Sequence, residues 1–300
     1  MEWGWAQYVF AHNVGLGDVG VKAGQFKDYQ FKEQAIAADT AQPLVERSAA
    51  DSLVGGYALG GPLVQGVDLV YTGNKSPIHN DLVFMDGTNS GNTDFTNVPT
   101  ATTKVHWGAS DRVDWKVCGD WADTTDLTGQ SSAGHDLLDI GGGVGYTDGT
   151  VIATGGQTGM DILRFDADAQ WLLAKRFTIF TAFYDDYFRN IVGASSRNDM
   201  AALVEGGVFV APAWQVVARY DVTEVGNRFK IATKADFSEI GAGLNYYMGP
   251  DGSWGNHAKF SLDVDYLPNG FPSTGATGLG YVASTSDNEI VFRGMFQFWL

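Results

Sequence analysis

Three carboxylate pairs are the residues of this 300-residue chain whose spacing could do chemistry: Asp166 with Asp168, Asp263 with Asp265, and Asp185 with Asp186. In a strand, side chains two apart share a face, so the first two pairs could serve as acid and base in glycoside cleavage. That chemistry needs carboxyls roughly 5 to 9.5 Å apart. The same faces carry Arg164 and Lys259, which gives the other reading: charges interleaved along a wall in water, shaping a transverse field, because burying them costs several kcal/mol unless they are paired. The histidines (His12, His79, His106, His135, His257) are scattered, without Ser/His/Asp or His-x-His spacing, so neither a catalytic triad nor a metal centre is indicated. IGGGVG at 140–145 has the look of a nucleotide loop, but it is followed by YTDGTVIATGG, a turn and not a helix. Its glycines are read as leaving room beside a strand. DGTNSGNTD at 86–94 resembles a calcium loop in composition and lacks the closing Glu of an EF-hand. The single Cys118 makes no internal disulfide. We expect no catalytic residue, no cofactor and no metal.

The elements that must position these residues are strands. In RVDWKVCGDW, Val113, Trp115, Val117 and Trp121 alternate with Arg112, Asp114, Lys116 and Asp120. The same period of two runs through DILRFDADAQWL, WQVVARYDV, AKFSLDVDYL and the closing EIVFRGMFQFWL, and no window holds a helical period. The spacing predicts thirteen strands, near 2–12, 17–27, 63–72, 80–86, 105–121, 136–147, 160–172, 176–187, 199–210, 214–224, 235–248, 258–268 and 288–300. Connections between them alternate short and long, as in an up-and-down barrel. Long ones are expected at 28–62, 87–102, 148–159, 188–198, 225–234 and 269–287. The link at 122–135 breaks the rhythm by being long where a short turn is due.

Nineteen basic against 35 acidic residues make a nucleic-acid partner unsuitable, because phosphate neutralisation needs a basic surface. No run of about 18 apolar residues marks a spanning helix, which leaves a membrane barrel open, since its strands are only half apolar. Trp and Tyr near strand ends suit a membrane interface. Met1 is followed directly by EWGWAQYVF without a signal-peptide pattern. Barrels with both ends on one side have an even strand number, so thirteen implies that an odd number is missing upstream.

KAGQFKDYQFKEQ at 22–34, PLVERS at 43–48, MDGTNSGNTDF at 85–95 and RVDWKVCGDW at 112–121 resemble the phosphate-selective porin O and P family. The resemblance extends over nearly the whole chain. It implies a trimeric, sixteen-stranded outer-membrane porin of Gram-negative-type bacteria, with one loop folded inward to narrow the channel. The expected architecture is therefore an all-β, antiparallel up-and-down transmembrane β-barrel forming one domain over 1–300, with 28–62 as the constriction loop. Lys27, Lys32 and Arg47 match the segment around that loop. Arg112, Lys116, Arg164, Arg219, Lys259 and Arg293 have the alternation of a lumen wall and complete an anion path. The acidic balance departs from a phosphate channel. The expected partners are outer-membrane lipid, small hydrophilic solutes including anions such as phosphate, and two further copies in a homotrimer. The expected function is passive diffusion, without enzymatic activity. The alternative is a secreted all-β carbohydrate-active enzyme using a paired-aspartate site. Charge reversal at Lys27, Lys32 and Arg47 is expected to change selectivity and leave folding intact.

Overall fold

A computed structural model describes residues 4–55, 63–87, 103–130, 135–153, 156–173, 176–189, 196–226, 236–271, 279, 281 and 287–299. Alternation has its predicted outcome: one antiparallel sheet of thirteen strands in which every strand pairs with its neighbour in sequence. The first seven are β1 (Gly4–Val14), β2 (Gly17–Lys27), β3 (Leu63–Thr72), β4 (Ile78–Met85), β5 (Thr103–Cys118), β6 (Leu137–Ala153) and β7 (Gly156–Leu173). They continue as β8 (Phe177–Arg189), β9 (Ser196–Ala211), β10 (Trp214–Val225), β11 (Asp236–Tyr247), β12 (Ala258–Leu267) and β13 (Glu289–Phe298).

One predicted loop is corrected. The 148–159 link is strand for most of its length, since β6 and β7 stay paired out to Ala153 and Gly156. The β-branched Thr150, Val151 and Ile152 suit a pleated strand better than a loop. The calcium-like stretch lies outside the described residues beyond Gly87.

The two faces of the sheet differ in chemistry. Along β10 exposed and buried residues alternate without a break, with Trp214, Val216, Tyr220 and Val222 exposed and Gln215, Arg219 and Asp221 buried. In β13, Phe292 is 79% and Phe296 62% exposed, whereas Arg293 on the opposite face meets Asp263 and Asp265. An aqueous protein would turn the apolar series inward, whereas from β3 to β13 this sheet turns it outward, as lipid contact requires. Aromatic side chains pair across neighbouring strands at both ends of the wall. Trp171 meets Phe177 and Trp214 meets Tyr246 at one end, with ring centroids 5.0 and 4.7 Å apart. Phe84, Trp107 and Tyr146 form a row at the other. Amphipathic rings favour the two membrane interfaces.

The apolar core lies on the inner side of the wall. Phe31, Ala49, Ala50, Leu53 and Val54, from the long connection after β2, pack with Phe180, Tyr184, Leu203, Val225 and Phe237 from the wall. Over its described residues, up to Gly55, the connection is therefore packed against the wall and is not a loose loop, consistent with burial of apolar area as its main source of docking energy.

Candidate functional site

Two segments enter the space behind the wall. The first follows β2 and contains a π-turn at Lys32–Ile36, a 3₁₀ turn at Asp39–Ala41 and a short helix, α1 (Ala49–Leu53). Five residues are too few to hold a helix alone, and α1 is fixed at its start by side chains. Ser48 Oγ accepts from Asp51 N at 3.0 Å, and Glu33 accepts from both Ser48 N and Ser48 Oγ at 2.7 Å. The second segment is a 3₁₀ turn at Trp121–Thr125 that continues to Gln130. It is the connection that broke the short-long rhythm. Its length is used to reach inward: Leu127 and Thr128 carbonyls accept from Thr178 and Gln215 at 2.9 and 2.8 Å, and Gln170 donates to the Asp126 carbonyl at 2.6 Å. The segments meet where Ala38 N donates to the Thr125 carbonyl at 2.9 Å.

The bases expected to line an anion path are placed as follows. Arg112 reaches Asp114 (2.5 Å), Asp166 (2.8 Å) and Asp168 (2.8 Å) and donates to the Gln30 carbonyl at 2.9 Å. Arg164 pairs with Asp186 at 3.0 Å, donates to the Gly55 carbonyl at 3.1 Å, and stacks 4.1 Å from the Phe31 ring. Arg219 binds Glu239 and Glu205 and the Glu46 and Arg47 carbonyls. Lys259 donates to the Gln42 carbonyl at 2.8 Å, Lys32 pairs with Asp139, and Arg293 pairs with Asp265. Arg47 pairs with Asp39 and donates to the Glu33 carbonyl at 3.1 Å, and Lys27 lies 3.5 Å from Asp39. Lys116 sits apart, 4.9 Å over the Trp121 ring.

The structure therefore brings most of these bases together with the loop, but their donors point at loop carbonyls and wall carboxylates. Acidic side chains complete the stitching, since Asp263 accepts from Val45 N at 2.7 Å and Glu239 from Ala49 N at 3.0 Å. The expectation that Asp166, Asp168, Asp263 and Asp265 stand in water is corrected: all four are buried. Pairing with Arg112 and Arg293 makes that burial affordable. Two aspartates gripping one arginine are also poorly disposed to act as an acid and base pair.

Glycines of the 140–145 string make space for this cluster. A Cβ on Gly141 would strike the Arg112 guanidinium and Asp114, one on Gly143 would stand 2.5 Å from Asp166, and one on Gly145 would strike Gln30. Gly141→Val is therefore expected to destabilise the folded barrel by about 1–3 kcal/mol through overpacking. Gly142→Ala, whose neighbour is backbone at 3.2 Å, should cost less. Urea unfolding in detergent checks both.

The loop's own titration points to a closure that resists acid. Burial alone would raise the Asp39 carboxyl, but the hydrogen bond and charge of Arg47, with Lys27, outweigh it and hold the group below its ordinary 3.8. Burial pushes Glu46 above its ordinary 4.5 and Asp28 above 3.8. A lowered carboxyl stabilises above its unfolded value and is lost only below its folded one, whereas a raised carboxyl favours the folded state more as pH falls through its folded value. The loop should accordingly be no easier to release from the wall at pH 4 than at pH 7. Urea titration in detergent at the two values checks this.

Sequence patterns missed other participants. Lys22, buried against Asp68 at 2.5 Å and 4.2 Å over the Tyr29 ring, and His79, 2.9 Å from Asp81, face a cavity of about 320 Å³ lined also by Tyr29, Asp114, Trp121 and Asp139. Lys22 falls within the predicted second strand and His79 just before the fourth, but nothing local marked that Tyr29 and Trp121 of the two inward segments would close over them. The helix start at Ser48 had a local signal, Ser-Ala-Ala-Asp ahead of an apolar pair.

No protein-family model and no curated protein matches the sequence. Solved structures do match. The outer-membrane expressed OmpT of Vibrio cholerae has 13% identity and a TM-score of 0.54, over 92% of this chain and 75% of that one. The outer membrane channel DcaP of Acinetobacter baumannii has 10% identity and a TM-score of 0.53, over 93% and 72%. The fold is that of an outer-membrane β-barrel. At such identities the likeness carries architecture alone, and the site must be argued from its own residues.

Proposed function

We propose that this protein is a passive channel of the Gram-negative outer membrane for small hydrophilic solutes, and not an enzyme. The observation that carries the reading is the inward loop, sewn by side chains to β5 through β8 and β10 through β13 within a wall whose outer face is apolar. An inward segment that narrows a lumen is how a barrel sets which solutes pass. The channel named among the structural neighbours, DcaP of Acinetobacter baumannii, supports the same assignment.

Transport of phosphate or other anions is the finer reading that the resemblance implies. It requires Lys27, Lys32, Arg47 and the wall bases to present charge to solute. Apart from Lys116, their geometry supports a different use, as anchors of the loop, and leaves Glu205, Glu239, Asp221 and Asp186 buried beside them. Neither set stands in the path of a passing ion, but the carboxylates outnumber the bases, and the field of that surplus, in a chain with a net charge of −16, favours cations in the lumen. Assembly as a homotrimer, also implied by the resemblance, belongs to the same proposal and is checked by the mass of the protein in detergent.

The test is the reversal potential of the full chain in a planar bilayer under a KCl gradient. A cation-selective current is expected. An anion-selective one would return the wall bases to the solute path, and no current from correctly folded protein would defeat the channel reading itself.

A further inference from the structure

We propose that Asp120, Asp123 and His135 form a binding site for one divalent cation of the zinc class, set where the connection between β5 and β6 leaves the wall and returns to it. Among the described residues these are the one group whose ligand atoms, two carboxylate oxygens and an imidazole nitrogen, all lie within 4.8 Å of one another. His135 Nδ1 stands 3.0 Å from Asp120 Oδ2, a spacing open to two donors that each lie about 2.0–2.2 Å from the same zinc ion. The spacing of the histidines in sequence gave no sign of such a centre, because its ligands come from opposite ends of one connection. Asp120 and Asp123 lie at the turn Trp121–Thr125, and His135 lies just before β6.

The second observation is an acid without a partner. Asp123 is only 7% exposed, yet among the described residues no donor reaches its carboxylate and no base pairs with it. Its neighbour Asp126 shows the other outcome, since Thr128 N and Asn256 Nδ2 donate to Asp126 Oδ1 at 2.9 and 3.1 Å. Lys116, the base of this region, is drawn over the Trp121 ring instead. A buried carboxylate without a donor is costly, and this one is held beside a second carboxylate that repels it. An ion shared with His135 removes both costs. It has a way in, because the His135 and Asp120 side chains are 59% and 64% exposed.

The donor set selects the class of ion. An imidazole beside carboxylates suits zinc and its neighbours, whereas magnesium and calcium take about six or more oxygens. The bound ion ties the two ends of the connection together. Between those ends lies the stretch that reaches inward, where the Leu127 and Thr128 carbonyls accept from Thr178 and Gln215. The site is thus a clasp on the second inward segment, and it stands whichever solute the barrel passes.

The experiment is calorimetric titration of the detergent-folded full chain, without a polyhistidine tag, with zinc chloride and separately with magnesium chloride. One saturable zinc site is expected, with magnesium at least about tenfold weaker. Asp123→Asn and His135→Asn should each weaken zinc at least about tenfold, the loss that follows even from removing an outer partner of a ligand. His12→Asn, which touches only the exposed pair with Asp18, should leave zinc affinity unchanged. If Asp123→Asn does not fold, His135→Asn carries the test, since its side chain is exposed. Equal zinc affinity in wild type and His135→Asn, an equal loss in His12→Asn, or magnesium binding as tight as zinc would overturn the site.

Discussion

Replacing Arg112 by methionine is expected to lower the stability of the folded barrel by about 3–5 kcal/mol, the range for breaking a buried ion pair by removing one partner. Arg112 is 1% exposed, and its guanidinium is shared among Asp114, Asp166, Asp168 and the Gln30 carbonyl. Without it three carboxylates face one another across a space that Gly141 and Gly143 keep open, and the start of the loop loses a donor. Arg112→Lys retains the charge but not the planar fork, so it should recover only part of the loss. Combining Arg112→Met with Asp166→Asn and Asp168→Asn should recover more, since it removes the repulsion together with its cause. Urea titration in detergent, followed by tryptophan fluorescence, reads all three. A loss below about 1 kcal/mol, the value of an exposed pair, would mean that water reaches the cluster and that the loop is held elsewhere.

The wall was legible in the sequence because its information is local and periodic. A period of two assigns each residue of β10 to a face, and an apolar outer face against a charged inner one is maintained from β3 to β13. What the charged face would touch was not legible in the same way. Arg219 sits 173 residues from the Glu46 carbonyl it holds, and Lys32 lies 107 from Asp139. Alternation says that Arg219 points inward and is silent on whether water or the loop backbone meets it there. Charge type led to an anion path, whereas the packing of Phe31, Leu53 and Val54 against the wall brings the loop close enough to use those donors. The Asp166/Asp168 spacing misleads for a related reason, because a shared face fits a catalytic pair and a two-pronged grip on Arg112 equally well. Only a third residue from another strand separates the two.

That packing changes the expected outcome of charge reversal at the loop. Lys32→Glu would leave folding intact if the side chain stood in an open channel, and would then only weaken any anion preference. In the structure Lys32 is 1% exposed and its ammonium meets Asp139, itself fully buried. The substitution puts two carboxylates against each other without solvent, and like charges there cannot both ionise at low cost. The cheapest relief is release of the π-turn at Lys32–Ile36 from the wall, which frees the loop while the strand ladder remains. The expected result is a severalfold rise in single-channel conductance with noisier gating, along with stronger cation preference. Lys32→Met, which removes one charge without adding another, should give a smaller rise. The exchange Lys32→Glu with Asp139→Lys restores an opposite pair at the same place and should return conductance toward wild type, a recovery that a general loss of stability would not show. Equal conductance in all four proteins would mean that the loop stays in place without this pair, and would shift its anchoring to the Arg219 and Lys259 contacts with the carbonyls of Glu46, Arg47 and Gln42.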